Sequence, residues 1–380
     1  MQKIKVKIPA CPKSSYTIVI GAEFLPTVLL QIKKLLPQRE LFLITDANIA
    51  KTKHLKNLTR LDSASSRGRT GKQNLSCYVI TPAGEKSKNV KTVTKIMEEM
   101  EKRALGRDCA VIALGGGTVG DVAGFVAAIY KRGVPVVQIP TTTVSQADSA
   151  IGGKTGVDSS ISKNAYGVFR HPAAVFIDVS ILKTLDDRQF NAGLVESIKH
   201  ALIADKDYFT YLQNNLNDIL ARKYKSLEYI AAKNCRIKAV VVEDDPYEKN
   251  KRRILNYGHT IGHAVESASN YKLLHGQAIA IGIIAANIIE QKLGLGNKKR
   301  LEILKQLFKK LDINLKIPKA ITKRQIIGII SRDKKAVRKW PRFVLLEKTG
   351  RVLCKNGDYA HQVSRKIVEE TIDILLKQKF

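Results

Sequence analysis

The chain has 380 residues, 44% hydrophobic and 26% charged, enough apolar material for a two-domain globular protein and too much for a disordered one. Its 65 Lys and Arg against 34 Asp and Glu give a net charge of +31, but these residues are spread along nearly every segment and no nucleic-acid module is present, so the charge predicts a basic surface that attracts small anions and no nucleic-acid partner. The longest apolar stretch, Ala278 to Ile289, is too short to span a membrane, and five scattered cysteines without a CxxC pair read as free thiols in a reducing compartment.

In chain order, Met1 to Ile8 alternates charged and apolar residues as a strand does and lacks the apolar core of a signal peptide, which predicts a cytoplasmic protein. Leu41–Thr45, Tyr78–Ile80, Cys109–Leu114, Val134–Ile139 and Ala174–Asp178 read as strands; Val90–Leu105 and Val119–Tyr130 read as helices. The alternation predicts βαβ units, an α/β domain over 1–180 with a largely parallel sheet, and ligands at the carboxyl ends of its strands. Arg60–Ser76 has no periodicity and reads as a surface loop. Beyond residue 180, helices are predicted over Gln189–Ala204, Tyr208–Ala221, Ser226–Val241, Tyr257–Ser269, Gly276–Leu293, Lys299–Lys310 and Ala360–Lys377. Only Arg342–Leu346 and Arg351–Cys354 look extended, so a mainly α-helical domain is expected over 181–380, packed on the first.

Gly115-Gly-Gly-Thr-Val-Gly120 follows a strand and opens a helix, the context in which G-x-G-x-x-G lets a pyrophosphate reach a helix N-terminus. The usual acid about twenty positions on is missing. Asp46 ends an earlier strand and takes the ribose role if that strand lies beside the glycine loop; otherwise it is a turn residue. Gln146 to Gly156 and Ser162 to Asn164 are dense in polar groups, and the paired glycines before Lys154 allow close approach of an anion to its ammonium. Glu196 and Lys199 share a helix face, with His200 a rival ligand at i+4 from Glu196. His259, His263 and His275 cluster near the end of the helical half; the i,i+4 pair faces one way, and spacing alone leaves open which of them ligates and which moves protons.

Thr45-Asp-Ala-Asn48, Pro82 to Lys88, Gly115 to Phe125, Arg132-Gly, Pro140-Thr-Thr, Asp148 to Gly156, Lys163-Asn164, Glu196 to Lys199, Ile237-Lys238-Ala, Arg252 to His263, Leu274-His-Gly and Asp333-Lys-Lys335 together closely resemble the 3-dehydroquinate synthases, in register over nearly the whole length. The resemblance implies a Rossmann-like NAD-binding domain, a helical metal domain carrying Zn²⁺ or Co²⁺, a homodimer, and cyclisation of 3-deoxy-D-arabino-heptulosonate 7-phosphate to 3-dehydroquinate with loss of phosphate. It implies Glu196, His259 and His275 as metal ligands. For NAD it implies Asp46, Asn48, Glu85, Lys88, Gly116, Gly117, Thr118, Asp121, Thr141, Thr142 and Lys163, with Thr184 near the nicotinamide side. Lys154, Asn164, Asn256 and His263 would hold the substrate phosphate, with Arg132 reaching in from the other subunit. Arg252 and Lys334 or Lys335 would take the carboxylate. Asp148, Lys199 and Lys238 would surround the ring hydroxyls; Glu248 would accept a proton, and His263 would be a proton carrier. The chain departs from the family pattern at His200, where tyrosine is usual, and at Ser197, Gln277, Asp158 and His171.

Overall fold

The computed structural model describes residues 15–65, 75–296, 298–331 and 340–377. In the first half, β1 (Thr17–Gly21), β2 (Glu40–Asp46), β3 (Ser76–Ile80), β4 (Cys109–Gly115) and β5 (Val136–Pro140) are followed by a hairpin of β6 (Lys154–Val157) and β7 (Tyr166–Phe169) and then by β8 (Ala174–Asp178). All but the hairpin form one sheet in the order β1-β8-β5-β4-β2-β3, with every pairing parallel. Strands covered on both faces are apolar throughout, and β4, β5 and β8 are buried at every position. Helices α1 (Leu25–Leu35) and α3 (Lys53–Ser65), the latter preceded by the short α2 (Ala47–Ala50), cover one face; Leu29, Ile32 and Leu58 pack on Leu43, Ile112, Ile139 and Phe176. Helices α4 (Val90–Lys102) and α5 (Gly117–Ile129) cover the other, where Ile96, Val122 and Val126 meet Phe42, Ile44 and Val111.

The second half is helical: α6 (Asp187–Ala204), α7 (Lys206–Asn214), α8 (Leu216–Leu220), α9 (Tyr224–Asp244), α10 (His259–Ala268), α11 (His275–Lys292), α12 (Lys298–Lys310), α13 (Lys323–Ser331) and α14 (Arg365–Leu376). Short strands β9 (Arg342–Phe343), β10 (Leu346–Lys348), β11 (Arg351–Val352) and β12 (His361–Gln362) lie before α14. Helix α11 is buried from Ala278 to Glu290 and forms the axis of this half. Among the described residues no helix is long and apolar enough to cross a membrane.

The fold class agrees with the sequence reading; several elements differ. The helix expected over Tyr208–Ala221 breaks at Asn215, which leaves helical geometry between α7 and α8. The closing helix begins at Arg365 rather than Ala360, because Ser364 caps it and His361 and Gln362 pair with β9. The polar run after Gln146, for which no element was expected, is ordered: Ser145–Ser149 form a π-turn and β6 and β7 a hairpin. Of the loop expected over Arg60–Ser76, residues 60–65 belong to α3 and Ser76 to β3, while 66–74 lie outside the described residues. Met1 to Ile8, Cys11, Asp333, Lys334 and Lys335 also lie outside them.

Candidate active site

Strand order settles the place of Asp46. Strand β2 lies directly beside β4, and Thr45 donates to the Leu114 carbonyl at 2.7 Å, so Asp46 ends next to the glycine loop. Its Oδ1 also caps α2, accepting from the Asn48 and Ile49 amides at 2.9 and 3.0 Å. The loop itself is tight: a Cβ at Gly116 would stand 3.1 Å from Thr142, and one at Gly117 would stand 3.1 Å from Ser149. Glycine at both positions avoids these contacts and leaves the amides at the start of α5 without side chains beside them. Thr141, buried beside this turn, has a hydroxyl with no hydrogen-bond partner.

Charged groups gather along the same edge. The Lys88 ammonium, buried, sits 2.5 Å from Asp121 and donates to Asn164 Oδ1 at 2.6 Å. Burial opposes its charge, but Asp121 and Glu85 outweigh that and raise its pKa. Lys163 reaches Glu85 at 2.9 Å, and Thr118 donates to the other Glu85 oxygen at 3.3 Å. Thr184 is placed on His54, 2.7 Å away. Asn164, a substrate candidate, is thus joined to the cofactor candidates.

The metal candidates converge from three helices. Glu196 is wholly buried on α6, and its Oε1 stands 3.4 Å from His275 Nε2 and 3.9 Å from His259 Nε2 with no hydrogen bond of good geometry. His259 Nδ1 lies 3.0 Å from the Tyr257 carbonyl, which fixes the proton there and leaves the Nε2 lone pair toward the carboxylate. Two acceptors facing one another in a buried space suit a cation between them. His275 Nδ1 faces Glu266 Oε2 at 3.4 Å. Burial alone would lower the His275 pKa, but Glu196 and Glu266 on either side push it up to about 9. The ligand nitrogens of His259, His263 and His275 all lie within 4.8 Å of one another, so all three meet at one point. Glu196 adds the oxygen donor, with Lys199 2.5 Å from its other oxygen.

His200, the rival ligand, is buried deeper. Its Nδ1 meets Asn234 Oδ1 at 3.2 Å, its Nε2 stands 3.9 Å from Asp148 without a hydrogen bond, and burial lowers its pKa to about 4. Asp148, Glu196 and His200 also bring ligand atoms within 4.8 Å. Glu196 and its Lys199 belong to both groupings, but Asp148 is already paired with Lys238 at 2.5 Å, so this second grouping suits a cation less well.

On the substrate side, Glu248 holds two of the expected phosphate grips: Asn256 donates to its Oε1 at 2.6 Å and Lys154 pairs with its Oε2. Arg252 is 1% exposed; its guanidinium donates to the carbonyls of Pro246 and Gly152 at 2.6 and 2.8 Å, and its Nε is buried without a hydrogen-bond partner. Arg132 is exposed on the turn after α5, with left-handed backbone at φ 71°, and joins none of these clusters among the described residues.

Two features escaped the sequence reading. Glu266 stands seven residues after His259 and three after His263, one helix face that periodicity would have shown. The buried network of Tyr257, Asn287, Glu290 and Arg300 was foreshadowed only by polar residues within an otherwise apolar helix.

Residues 78–192 match the family profile described as 3-dehydroquinate synthase N-terminal, and residues 193–336 the one described as 3-dehydroquinate synthase C-terminal. A protein of Symbiobacterium thermophilum named 3-dehydroquinate synthase is 40% identical over 322 residues, covering 84% of this chain and 88% of its own. Among solved structures, 2-epi-5-epi-valiolone synthase from Streptomyces hygroscopicus subsp. jinggangensis, with NAD⁺ and Zn²⁺ bound, has the same fold at a TM-score of 0.86 and 23% identity, covering 98% of this chain and 100% of that one. A 2-deoxy-scyllo-inosose synthase complexed with carbaglucose-6-phosphate, NAD⁺ and Co²⁺ aligns at a TM-score of 0.80 and 27% identity, over 93% and 95% of the two chains.

Proposed function

The chain belongs to the 3-dehydroquinate synthases, and from that premise we infer that it converts 3-deoxy-D-arabino-heptulosonate 7-phosphate to 3-dehydroquinate and phosphate, using NAD and a divalent ion such as Zn²⁺ or Co²⁺. When bound, the ion would polarise an alcohol and NAD would take up and return its hydride. The observation that carries the reading is the convergence of Glu196, His259 and His275 around an unpartnered buried carboxylate oxygen.

Around that centre the residues divide the work. Glu196, His259 and His275 supply donors to the ion, and His263 sits beside them as a proton carrier toward the phosphate. The glycine loop Gly116–Gly117, with Thr118, Thr141 and Thr142, cradles the dinucleotide phosphates, while Asp46 and Asn48 take a ribose. Glu85, Lys88, Asp121 and Lys163 line the same edge, and Thr184 extends the cofactor set on the His54 side. Asp148, Lys199 and Lys238 hold ring hydroxyls in one conformer, which is most of what an elimination and ring closure need from a protein. Lys154, Asn164 and Asn256 grip the phosphate, with Glu248 as their resting partner and a proton acceptor. The carboxylate falls to Arg252 with Lys334 or Lys335, and Arg252 also fixes the Gly152 turn before Lys154. The protein is further read as a cytoplasmic homodimer in which the partner subunit's Arg132 completes the phosphate site, with its two domains meeting near residue 180.

Purified protein given NAD⁺, Zn²⁺ or Co²⁺ and the heptulosonate phosphate should release inorganic phosphate and dehydroquinate in equal amounts without accumulating NADH. Absence of both products, with NADH building up from simple polyols, would overturn the reading. Lys154→Met should lower kcat/KM by about 10- to 100-fold, the worth of one charge-assisted phosphate contact. Steady-state kinetics showing no change would remove Lys154 from the phosphate site.

A further inference from the structure

We propose that Glu266 is a positioning residue that couples the metal site to the dinucleotide site through Lys163, so that filling either site raises the affinity of the other. The proposal rests on the functional reading above. Glu266 is 5% exposed, and its two oxygens face two different functional groups: Oε2 lies 3.4 Å from His275 Nδ1, and Oε1 lies 3.1 Å from the Lys163 ammonium. Lys163 stands 103 residues earlier, on the connection between β6 and β7. Its ammonium packs 4.3 Å from the centre of the Tyr271 ring and reaches Glu85 at 2.9 Å, and Glu85 in turn accepts from Thr118 in the first turn of α5. One unbroken polar path therefore runs from the glycine loop to a metal ligand.

A buried carboxylate shared by two cationic or donor groups cannot move for one without moving for the other. A dinucleotide that orders Lys163 also fixes Glu266, which holds the His275 proton on Nδ1 and turns the Nε2 lone pair toward the metal position. With His275 holding a metal, its Nδ1–H would be a stronger donor to Glu266 and would keep that carboxylate under Lys163. Because the same side chains are ordered only once, the second ligand costs less to bind, and the effect is reciprocal.

The test is calorimetric titration of NAD⁺ into chelator-stripped and Zn²⁺-loaded protein. In the wild type, Zn²⁺ is expected to lower the NAD⁺ Kd by about 5- to 150-fold, the usual range of such coupling. In Glu266→Gln, NAD⁺ and Zn²⁺ should each still bind alone, but the ratio of the two NAD⁺ Kd values should fall to near one. Lys163→Met leaves Glu266 on His275 and should also make NAD⁺ affinity independent of metal; it decides the matter if Glu266→Gln does not fold. A merely structural role for Glu266 would weaken both affinities and keep the ratio, which overturns the proposal, as does a wild-type ratio of one. If neither NAD⁺ nor Zn²⁺ binds the wild type, the active-site reading itself fails and the coupling with it.

Discussion

Replacing His275 by alanine is expected to strip the protein of its metal and to cut turnover by about 10³-fold or more, because Lewis-acid polarisation at such a centre is worth several kcal/mol. The residue closes the cluster from the N-terminus of α11, and its ring is held between Glu196 at 3.4 Å and Glu266 at 3.4 Å. Without it, Glu196 and His259 remain as two donors, fewer than the three protein ligands of ordinary catalytic sites. His263→Ala separates the roles of the cluster: it should retain metal while losing turnover, because His263 is assigned to the substrate. Metal content measured after dialysis, beside phosphate release, checks both. Stoichiometric metal in His275→Ala would remove His275 from the ligand set, and metal loss in His263→Ala would place that ring in it.

Arg300→Met is expected to destabilise the helical half by about 3–5 kcal/mol, the cost of leaving one member of a buried ion pair alone, and to lower Tm by on the order of 10 °C. Arg300 pairs with Glu290 and donates to Asn287 Oδ1 at 2.6 Å; Glu290 also accepts the Leu346 amide at 2.7 Å, and Asn287 donates to the Tyr257 hydroxyl at 2.9 Å. Burial already pushes the Glu290 pKa up to about 7 despite Arg300. A carboxyl whose pKa is higher folded than unfolded takes up a proton on folding, so the loss of stability should shrink as pH falls from 8 to 5. Because the Tyr257 carbonyl receives His259 Nδ1, the variant should also hold metal more weakly. Thermal melts across that pH range check the sign; a deficit that grows toward acid would exclude a stranded Glu290.

Much of the site could be read along the chain because its groups lie within single elements. The His259 and His263 pair, the Glu196 and Lys199 pair and the run of glycines after β4 are short-range patterns whose geometry follows from helix and strand periods. Glu266 is equally readable on the His259 face, seven residues after His259 and three after His263. The β6–β7 hairpin was hidden by a composition of glycine and polar residues that resembles a loop. Arg252 stands out by residue type, but its partners, the carbonyls of Pro246 and of Gly152 100 residues away, follow only from packing.

By itself, the sequence determined the strands from β2 to β5 and β8, most of the long helices, the glycine loop and the kinds of group available for chemistry, all set by local periodicity and residue type, and its motifs in register marked the family. Tertiary structure decided which distant groups meet. Asp46 reaches the glycine loop only because β2 lies beside β4, Glu196 faces His259 and His275 only because α6, α10 and α11 pack together, and Lys163 meets Glu266 across 103 residues. Spacing fixes direction within one element. The approach of one element to another is set by burial of their apolar faces, which no local pattern specifies.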